Sequence, residues 1–319
     1  MDGILIVNKP CGMTSHDVIY KVRKIYKTKQ VGHTGTLDPM ATGVLVVLIG
    51  RAVKASEYLV THDKCYKAGL KLGITTDTED TSGNILFSLP KDRALPSQKE
   101  VFDAAASFVG NINQIPPMYS ALKVGGRKLA DLARKGISVE REPRPVSVFS
   151  IGISSVLEAS GDYLLDVHCS KGTYIRTLCA DIGSKLGCGG AMSSLVRTES
   201  GGFSLSESYT LDELYEMDEG QLASCLIPTE RLFSSCPVLR LSDYPAFLSK
   251  NGAELYLDRR NEADLVRSGL SLSLPLGLRL RLYDKDGFFG IGDVMDFEDG
   301  RAIKAIKLFS LDQNVSTIK

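Results

Sequence analysis

Gly32-His33-Thr34-Gly35-Thr36-Leu37-Asp38-Pro39-Met40-Ala41-Thr42-Gly43 runs directly into an unbroken apolar stretch, Val44-Leu45-Val46-Val47-Leu48-Ile49. That apolar run, closed by Gly50, reads as a buried strand. The loop before it carries a single carboxylate, Asp38. Gly32-X-X-Gly35 permits backbone angles that other residues avoid, and Pro39 biases Asp38 toward an extended conformation. The carboxylate is therefore presented at the head of a buried strand. Taken alone, Asp-Pro is also an ordinary turn starter, so the surrounding chain has to decide.

Upstream, Gly3 to Asn8 is an apolar strand closed by the turn signal Lys9-Pro10-Cys11-Gly12. A helix follows, with Thr14 or Ser15 as N-cap, Asp17 in the first turn, and Val18, Ile19, Val22, Ile25 and Tyr26 at helical spacing. Its other face carries Lys21 and Lys24, with Lys27 and Lys29 beyond the end. Downstream, Tyr66 to Leu72 alternates as a strand, Asp77 to Gly83 is a Thr-rich acidic turn, and Ser97 to Val109 has a helical pattern. Pro116-Pro117 forces an irregular segment, and a short basic helix, Lys128 to Lys135, stops at Gly136. Strands at Val146 to Ile153, Tyr163 to Cys169 and Ala191 to Val196 enclose a helix from Tyr174 to Leu186. Ser206 to Gly220 is acidic and helix-prone. From about residue 237 the pattern becomes short strands between turn signals, and Leu270 to Leu282 alternates leucine in strand fashion until Pro275 breaks it.

A chain of 319 residues exceeds the size of most single cores, so a large domain over 1–236 and a small β-rich one over 237–319 are expected. Net charge is zero but unevenly spread: residues 1–150 hold 21 Lys+Arg against 14 Asp+Glu, and residues 151–230 hold 4 against 12. A basic N-terminal half suits a polyanionic ligand and equally a solvated face. The seven cysteines form no Cys-X-X-Cys pair and no zinc spacing, which predicts reduced thiols and no metal. Neither a signal peptide nor an apolar run near the ~20 residues of a membrane helix is seen, so a cytoplasmic location is expected. No Walker loop or dinucleotide fingerprint occurs, which argues against nucleotide or redox cofactors.

Three further clusters stand out. Tyr66 follows Lys64-Cys65 at a strand head, as a core filler or a platform for a planar ligand. Cys169-Ser170-Lys171-Gly172-Thr173-Tyr174-Ile175-Arg176-Thr177 brings a hydroxyl, a phenol and a guanidinium to a helix start; Leu195-Val196-Arg197-Thr198-Glu199-Ser200-Gly201 ends a strand in a polar loop. In Ser170 to Thr177 of the second cluster, together with Asn8-Lys9-Pro10, Thr14-Ser15, Gly32 to Pro39, Thr76-Asp77-Thr78 and Pro116-Pro117-Met118-Tyr119-Ser120-Ala121, the chain closely resembles the TruB family of tRNA pseudouridine synthases, in its stand-alone bacterial form. The likeness runs through most of the first 235 residues. The C-terminal region is more loosely similar to the PUA-type RNA-binding appendage of that family.

The resemblance implies an α/β fold of α+β type, with a central mixed, mostly antiparallel sheet and a PUA-like C-terminal domain. It implies isomerisation of uridine 55 in the tRNA T loop, in which uracil N1 leaves ribose C1′, the base turns, and C5 bonds to C1′. No cofactor is required, and tRNA is the partner, without a guide RNA. Asp38 matches the essential aspartate; attack on C1′, addition to the base, and removal of the 2′ hydrogen are all open routes. Arg176 matches the residue that keeps the carboxylate charged and oriented. His33 matches the residue near the vacated stack of the flipped nucleotide, Tyr66 the one against the flipped base, and Tyr174 and Leu195 further pocket walls. Lys9 and Pro10 are assigned to scaffold geometry, and His16, His62 and His168 receive no role. Phosphate contacts are expected from Lys21, Lys24, Lys64, Lys67, Arg127, Lys128 and Arg141.

Val196, Glu199 and Arg51 depart from the usual family pattern, which bears on RNA contacts rather than on reaction type. Alternative readings are a guide-dependent synthase of the related archaeal and eukaryotic branch, disfavoured by the compact N-terminus, and a catalytically silent tRNA chaperone. Nothing in the sequence demands more than a monomer.

Overall fold

The computed structural model describes residues 1–59, 62–157 and 161–310; the side chains of Lys128 and Leu157 and residues 311–319 lie outside the described part. The chain opens with strand β1 (Gly3–Lys9), helix α1 (Ser15–Ile25), β2 (Val31–Thr34) and β3 (Thr42–Ile49). Of the two N-cap candidates Thr14 takes the position, forming a capping box with Asp17. Val18, Val22 and Ile19 point inward from α1 onto β1 and β3. The unbroken apolar run has a simple cause, because β3 is covered on both faces. Leu45, Val47 and Ile49 pack toward α1, while Val44, Val46 and Leu48 meet Ala52, Leu59 and Phe203. Truncating Leu45 to alanine is expected to cost roughly 2–5 kcal/mol.

Strand β4 (Lys64–Leu72) leads into the hairpin β5 (Ile74–Thr76) and β6 (Ile85–Ser88); the short helix α2 (Ser56–Leu59) precedes it. Helix α3 (Gln98–Ala106), capped by Ser97, and strand β7 (Gly110–Gln114) come next. A small two-stranded pair, β8 (Lys123–Val124) and β9 (Arg127–Lys128), carries α4 (Leu129–Ala133). The large sheet is completed by β10 (Arg144–Leu157), β11 (Asp162–Cys169), β12 (Gly190–Ser200) and β13 (Phe203–Ser204), with α5 (Ile175–Lys185) between β11 and β12.

Its order is β1-β3-β12-β4-β11-β10-β7, with β2 on β3 and β13 on β12. The sheet is mixed and mostly antiparallel, as the sequence leads one to expect. Among the described residues its one parallel strand pair joins β3 to β12, pairing Thr42 with Val196 and Gly43 with Arg197. Gly43 lies at φ +98°, and a Cβ there would fall 2.3 Å from the Arg197 carbonyl oxygen, so only glycine permits this approach. The Asp38 loop therefore enters the sheet at the point where the ladder changes direction.

The acidic stretch before residue 220 forms α6 (Leu211–Glu216) and α7 (Glu219–Ser224), each begun by a capping box. A second, five-stranded sheet follows, in the order β14 (Val238–Arg240), β16 (Arg279–Asp284), β17 (Gly287–Phe297), β18 (Gly300–Leu308), β15 (Glu254–Tyr256). It has its own leucine-rich core. Two features here differ from the sequence reading. Helices α8 (Asp243–Lys250) and α9 (Glu262–Arg267) stand where only strands and turns are expected; Pro245 sits in the first turn of α8, where no N–H partner is needed, so it does not break the helix. Leu270 to Leu278 is not a strand, and its leucines other than the exposed Leu276 reach the core from a loop. The two sheets meet through Tyr58, Phe233, Phe288 and Phe309, flanked by Lys307–Glu57 and Arg281–Glu230 ion pairs of 2.8 Å.

Candidate active site

Leu37 and Ala41 anchor the Asp38 loop in the core, with Met40 packed against it, and polar side chains from three elements hold its backbone. Lys9, at the end of β1 and 0 % exposed, donates through Nζ to the carbonyls of Pro10 (2.9 Å), Met13 (2.6 Å) and Pro39 (3.2 Å). Ser15, at the head of α1, accepts from Leu37 N at 2.9 Å and donates to Leu37 O at 3.2 Å. Arg197, on β12 and 1 % exposed, donates Nε to Val44 O at 2.7 Å and Nη2 to Gly35 O at 3.0 Å. The loop is thus fixed on both sides of Asp38 by bonds to main-chain oxygens, each strengthened by the donor's charge where Lys9 or Arg197 supplies it.

Asp38 faces Arg176, the second residue of α5. Arg176 Nε lies 3.0 Å from Asp38 Oδ2, Nη1 donates to Thr78 O at 3.0 Å and lies 3.8 Å from Asp80 Oδ2, and Nη2 donates to Tyr119 O at 2.8 Å. The Arg176 side chain is 6 % exposed and that of Asp38 37 %, so the cation is enclosed while the carboxylate keeps one open side. A planar fork with five donors fits this set of acceptors, whereas an ammonium would reach fewer of them in fixed directions.

Burial raises the Asp38 pKa above its ordinary value; Arg176 and Lys9 pull it back, and the nearby Asp80 charge pushes it further up. Arg176 opposes protonation, as the sequence suggests, yet burial outweighs it. Asp80 is itself 5 % exposed, and its Oδ1 accepts from Thr78 Oγ1 at 2.8 Å and from Ser82 N at 3.0 Å. Sequence reading missed both Asp80 and Arg197. Asp80 was hidden in an acidic turn signal, and Arg197 in a polar strand end; an acidic residue two places after Thr78 in a matched motif was the available clue.

Tyr66 on β4 is buried, next to Arg197, which hydrogen-bonds its hydroxyl, and within the field of Asp38. Burial holds its phenol above the ordinary pKa. Tyr174 caps α5, exchanging bonds with the Gln114 amide at 3.0 and 3.2 Å. Leu195 packs in the same core as Tyr66. His33 on β2 is half-buried with Nδ1 unpartnered, and burial first, then Arg197 and His16, keep its imidazole below the ordinary pKa. Asp38, Arg176, Tyr66 and Tyr174 therefore converge, and Arg197 links Tyr66 to the loop.

The basic residues separate into groups. Lys21 and Lys24 are exposed on α1, and Arg127 lines a cleft of about 550 Å³ with Lys123 and Lys135. The Lys128 side chain lies outside the described residues. Lys64 is turned inward, donating to His62 O at 2.8 Å, and burial and Arg197 lower its pKa. Arg141 is half-buried and holds Pro116 O at 2.9 Å. Strand alternation sends Lys67 to the face opposite Tyr66, where it is exposed and sits 3.8 Å from Asp166.

The fold is shared with chains of two solved complexes. It matches a structure described as an H/ACA RNP bound to a substrate RNA containing 2′-deoxyuridine, with TM-score 0.68 and 23% identity over 98% of this chain and 86% of that one. It matches a Cbf5-Nop10-Gar1 complex with TM-score 0.68 and 25% identity, over 97% and 85% of the two chains. Residues 23–175 fit the TruB family pseudouridylate synthase N-terminal domain, and residues 176–234 fit the tRNA pseudouridylate synthase B C-terminal domain. Proteins named tRNA pseudouridine synthase B are 43% identical in Dechloromonas aromatica (92% of this chain, 91% of that protein), 41% in Clostridium kluyveri (97% and 100%) and 44% in Bacillus subtilis (80% and 84%). The chain belongs to the TruB family of pseudouridylate synthases.

Proposed function

We propose that this protein converts uridine 55 in the T loop of tRNA to pseudouridine, with Asp38 as the essential carboxylate acting on a flipped nucleotide. The observation that carries the reading is the partly open Asp38 carboxylate held 3.0 Å from an enclosed Arg176, in a chain of this family. The reaction breaks the bond from uracil N1 to ribose C1′ and makes one from C5 to C1′ in the same nucleotide. It transfers no electrons and no group to a second molecule, so the protein's own residues suffice. Arg176 orients the carboxylate and opposes its protonation. Tyr66 lies against the base, Tyr174 and Leu195 wall the pocket, and His33 occupies the space the nucleotide leaves. Flipping a stacked base costs a few kcal/mol, which contacts to the folded T arm offset.

Phosphates are met by Lys21, Lys24 and the cleft around Arg127, with Lys128 in the same strand; Lys64 and Arg141 act closer in, through the walls. Residues 1–236 form the catalytic domain, and residues 237–319 a PUA-like domain that adds RNA contacts. The protein works as a cytoplasmic monomer, without a guide RNA; among the described residues no helix is long and apolar enough to cross a membrane.

The test is to incubate purified protein with unmodified tRNA, or with an isolated T-arm hairpin, and map pseudouridine. Product at position 55 without added RNA is expected. Product only after adding a guide would replace this reading by a guide-dependent one. Binding without product, unchanged by Asp38→Asn, would make the protein a chaperone.

A further inference from the structure

Glu79 lies between the two groups that the 76–82 loop presents to Arg176. Its backbone is left-handed, at φ +64°, one of two such non-glycine residues among those described. That conformation is disfavoured for an L-residue by the approach of Cβ to the following carbonyl oxygen. Glycine would avoid the cost, yet the position carries a glutamate with a specific partner. Glu79 Oε2 accepts from the hydroxyl of Thr177 at 2.6 Å, and Thr177 is the residue after Arg176 on α5. The loop thus holds two consecutive residues of one helix: Thr78 O and Asp80 take Arg176, and Glu79 takes Thr177.

The backbone of the loop is independently fastened to β12, with Met192 N donating to Glu79 O at 3.0 Å and Thr81 N to Met192 O at 2.9 Å. The groups facing the Glu79 carboxylate are Arg176, Arg141, Asp80, Asp181 and Cys179. Arg141 in turn holds Pro116 O, and Arg176 holds Tyr119 O, so the same clasp borders the segment that forms the far wall of the site.

We propose that Glu79, clasped by Thr177, is a positioning residue for the reaction at Asp38: it sets the turn that aims the Thr78 carbonyl and the Asp80 carboxylate at Arg176. Arg176 has freedom about its long side chain unless its acceptors are fixed. Fixed acceptors on one side leave Nε directed at Asp38 on the other. The clasp acts on the orientation of the pair and not on tRNA contacts, so its loss belongs in the chemical step. This inference rests on the activity proposed above.

The experiment measures single-turnover pseudouridine formation and tRNA affinity for the full-length protein. Thr177→Val and Glu79→Gly are expected to slow the rate about tenfold to a hundredfold, as a small misplacement of a catalytic group does, with affinity within about twofold of the wild type. Thr177→Ser and Glu79→Gln, which keep a hydroxyl donor and an oxygen acceptor, recover most of the rate. In an Asp80→Asn background, Thr177→Val costs little more, because both act through Arg176. An undiminished rate in Thr177→Val, equal damage from the conservative variants, or full additivity with Asp80→Asn would overturn the proposal. The Arg176 Nε–H resonance of the free protein reads the clasp without RNA: it is expected sharp in the wild type and Thr177→Ser and broadened in Thr177→Val. An unchanged resonance in Thr177→Val also overturns the proposal, whereas a wild-type protein that makes no product overturns the proposed function alone.

Discussion

In the C-terminal sheet each of three cations has a carboxylate of its own: Lys250 meets Asp284 at 2.5 Å, Arg279 meets Asp293 at 2.8 Å, and Lys304 meets Glu254. Around Asp38 the two most buried cations are directed at main-chain oxygens, Lys9 at three and Arg197 at two. Carbonyl dipoles satisfy hydrogen bonds without cancelling a full charge. The C-terminal pairs therefore neutralise themselves. The floor of the cleft keeps positive charge beside one half-open carboxylate, as a site for a polyanion requires.

Substitutions can break this comparison, and the largest effect is expected at Asp38. Asp38→Asn should lower pseudouridine formation by roughly 10⁴-fold or more, measured in single turnover. Folding raises the Asp38 pKa, so its ionisation weakens stability as pH rises through that value. Asp38→Asn is therefore expected to melt no lower than the wild type at neutral pH, which a thermal scan checks. Arg176→Lys should cost roughly 10²–10³-fold in rate while tRNA binding is largely kept; equal damage to both would remove the orienting role.

The contrast itself is tested by Lys9→Met against Lys304→Met. Lys9→Met orphans three carbonyls and should destabilise by about 3 kcal/mol and slow the reaction. Lys304, about a third exposed and paired, should cost no more than about 1 kcal/mol and leave the rate unchanged. Equal costs in urea titrations would erase the distinction.

Acid titration gives a smaller effect. Asp38 must be ionised, and burial lifts its pKa above the ordinary 3.8, so the rate should fall as pH drops through a value higher than that. Asp80→Asn removes a like charge and should move this acid limb to lower pH; a limb that stays put would show that Asp80 acts only through geometry. The smallest change concerns affinity. Replacing Lys21 and Lys24 with alanine should weaken tRNA binding and reduce its salt slope by roughly one for each phosphate no longer neutralised. Lys67→Ala, on the far face, should leave both unchanged.

Much of the large sheet was legible because its strands announce themselves in apolar runs and its helices in caps. Thr14 with Asp17 and the run Val44–Ile49 are examples. The C-terminal helices were not, since Pro245 is read as a breaker unless its place in the first turn is known. Leu270 to Leu278 misled for the reverse reason: alternate leucines satisfy a period of two in a loop as well as in a strand. At the site, residue types inside matched motifs were found, but partners chosen by three-dimensional proximity were not. Arg197 carries no local signal that separates it from a surface charge, and Asp80 carries only its place two residues after a matched motif.

Contiguous residues were enough to settle where Asp38 is presented, because left-handed Gly35, the proline and the apolar strand adjoin one another and act through local backbone preferences, although Gly32 to Thr34, expected in the loop, form β2. They were enough for the family too, because several motifs recur in order. What holds that carboxylate was settled in three dimensions. Lys9, Ser15 and Arg197 reach its loop from β1, α1 and β12, and Asp80 and Glu79 reach Arg176 and Thr177 from a turn about a hundred residues earlier in the chain. Such bonds depend on which elements the sheet brings side by side, and burial then gives them their strength by excluding the water that would compete for the same donors and acceptors.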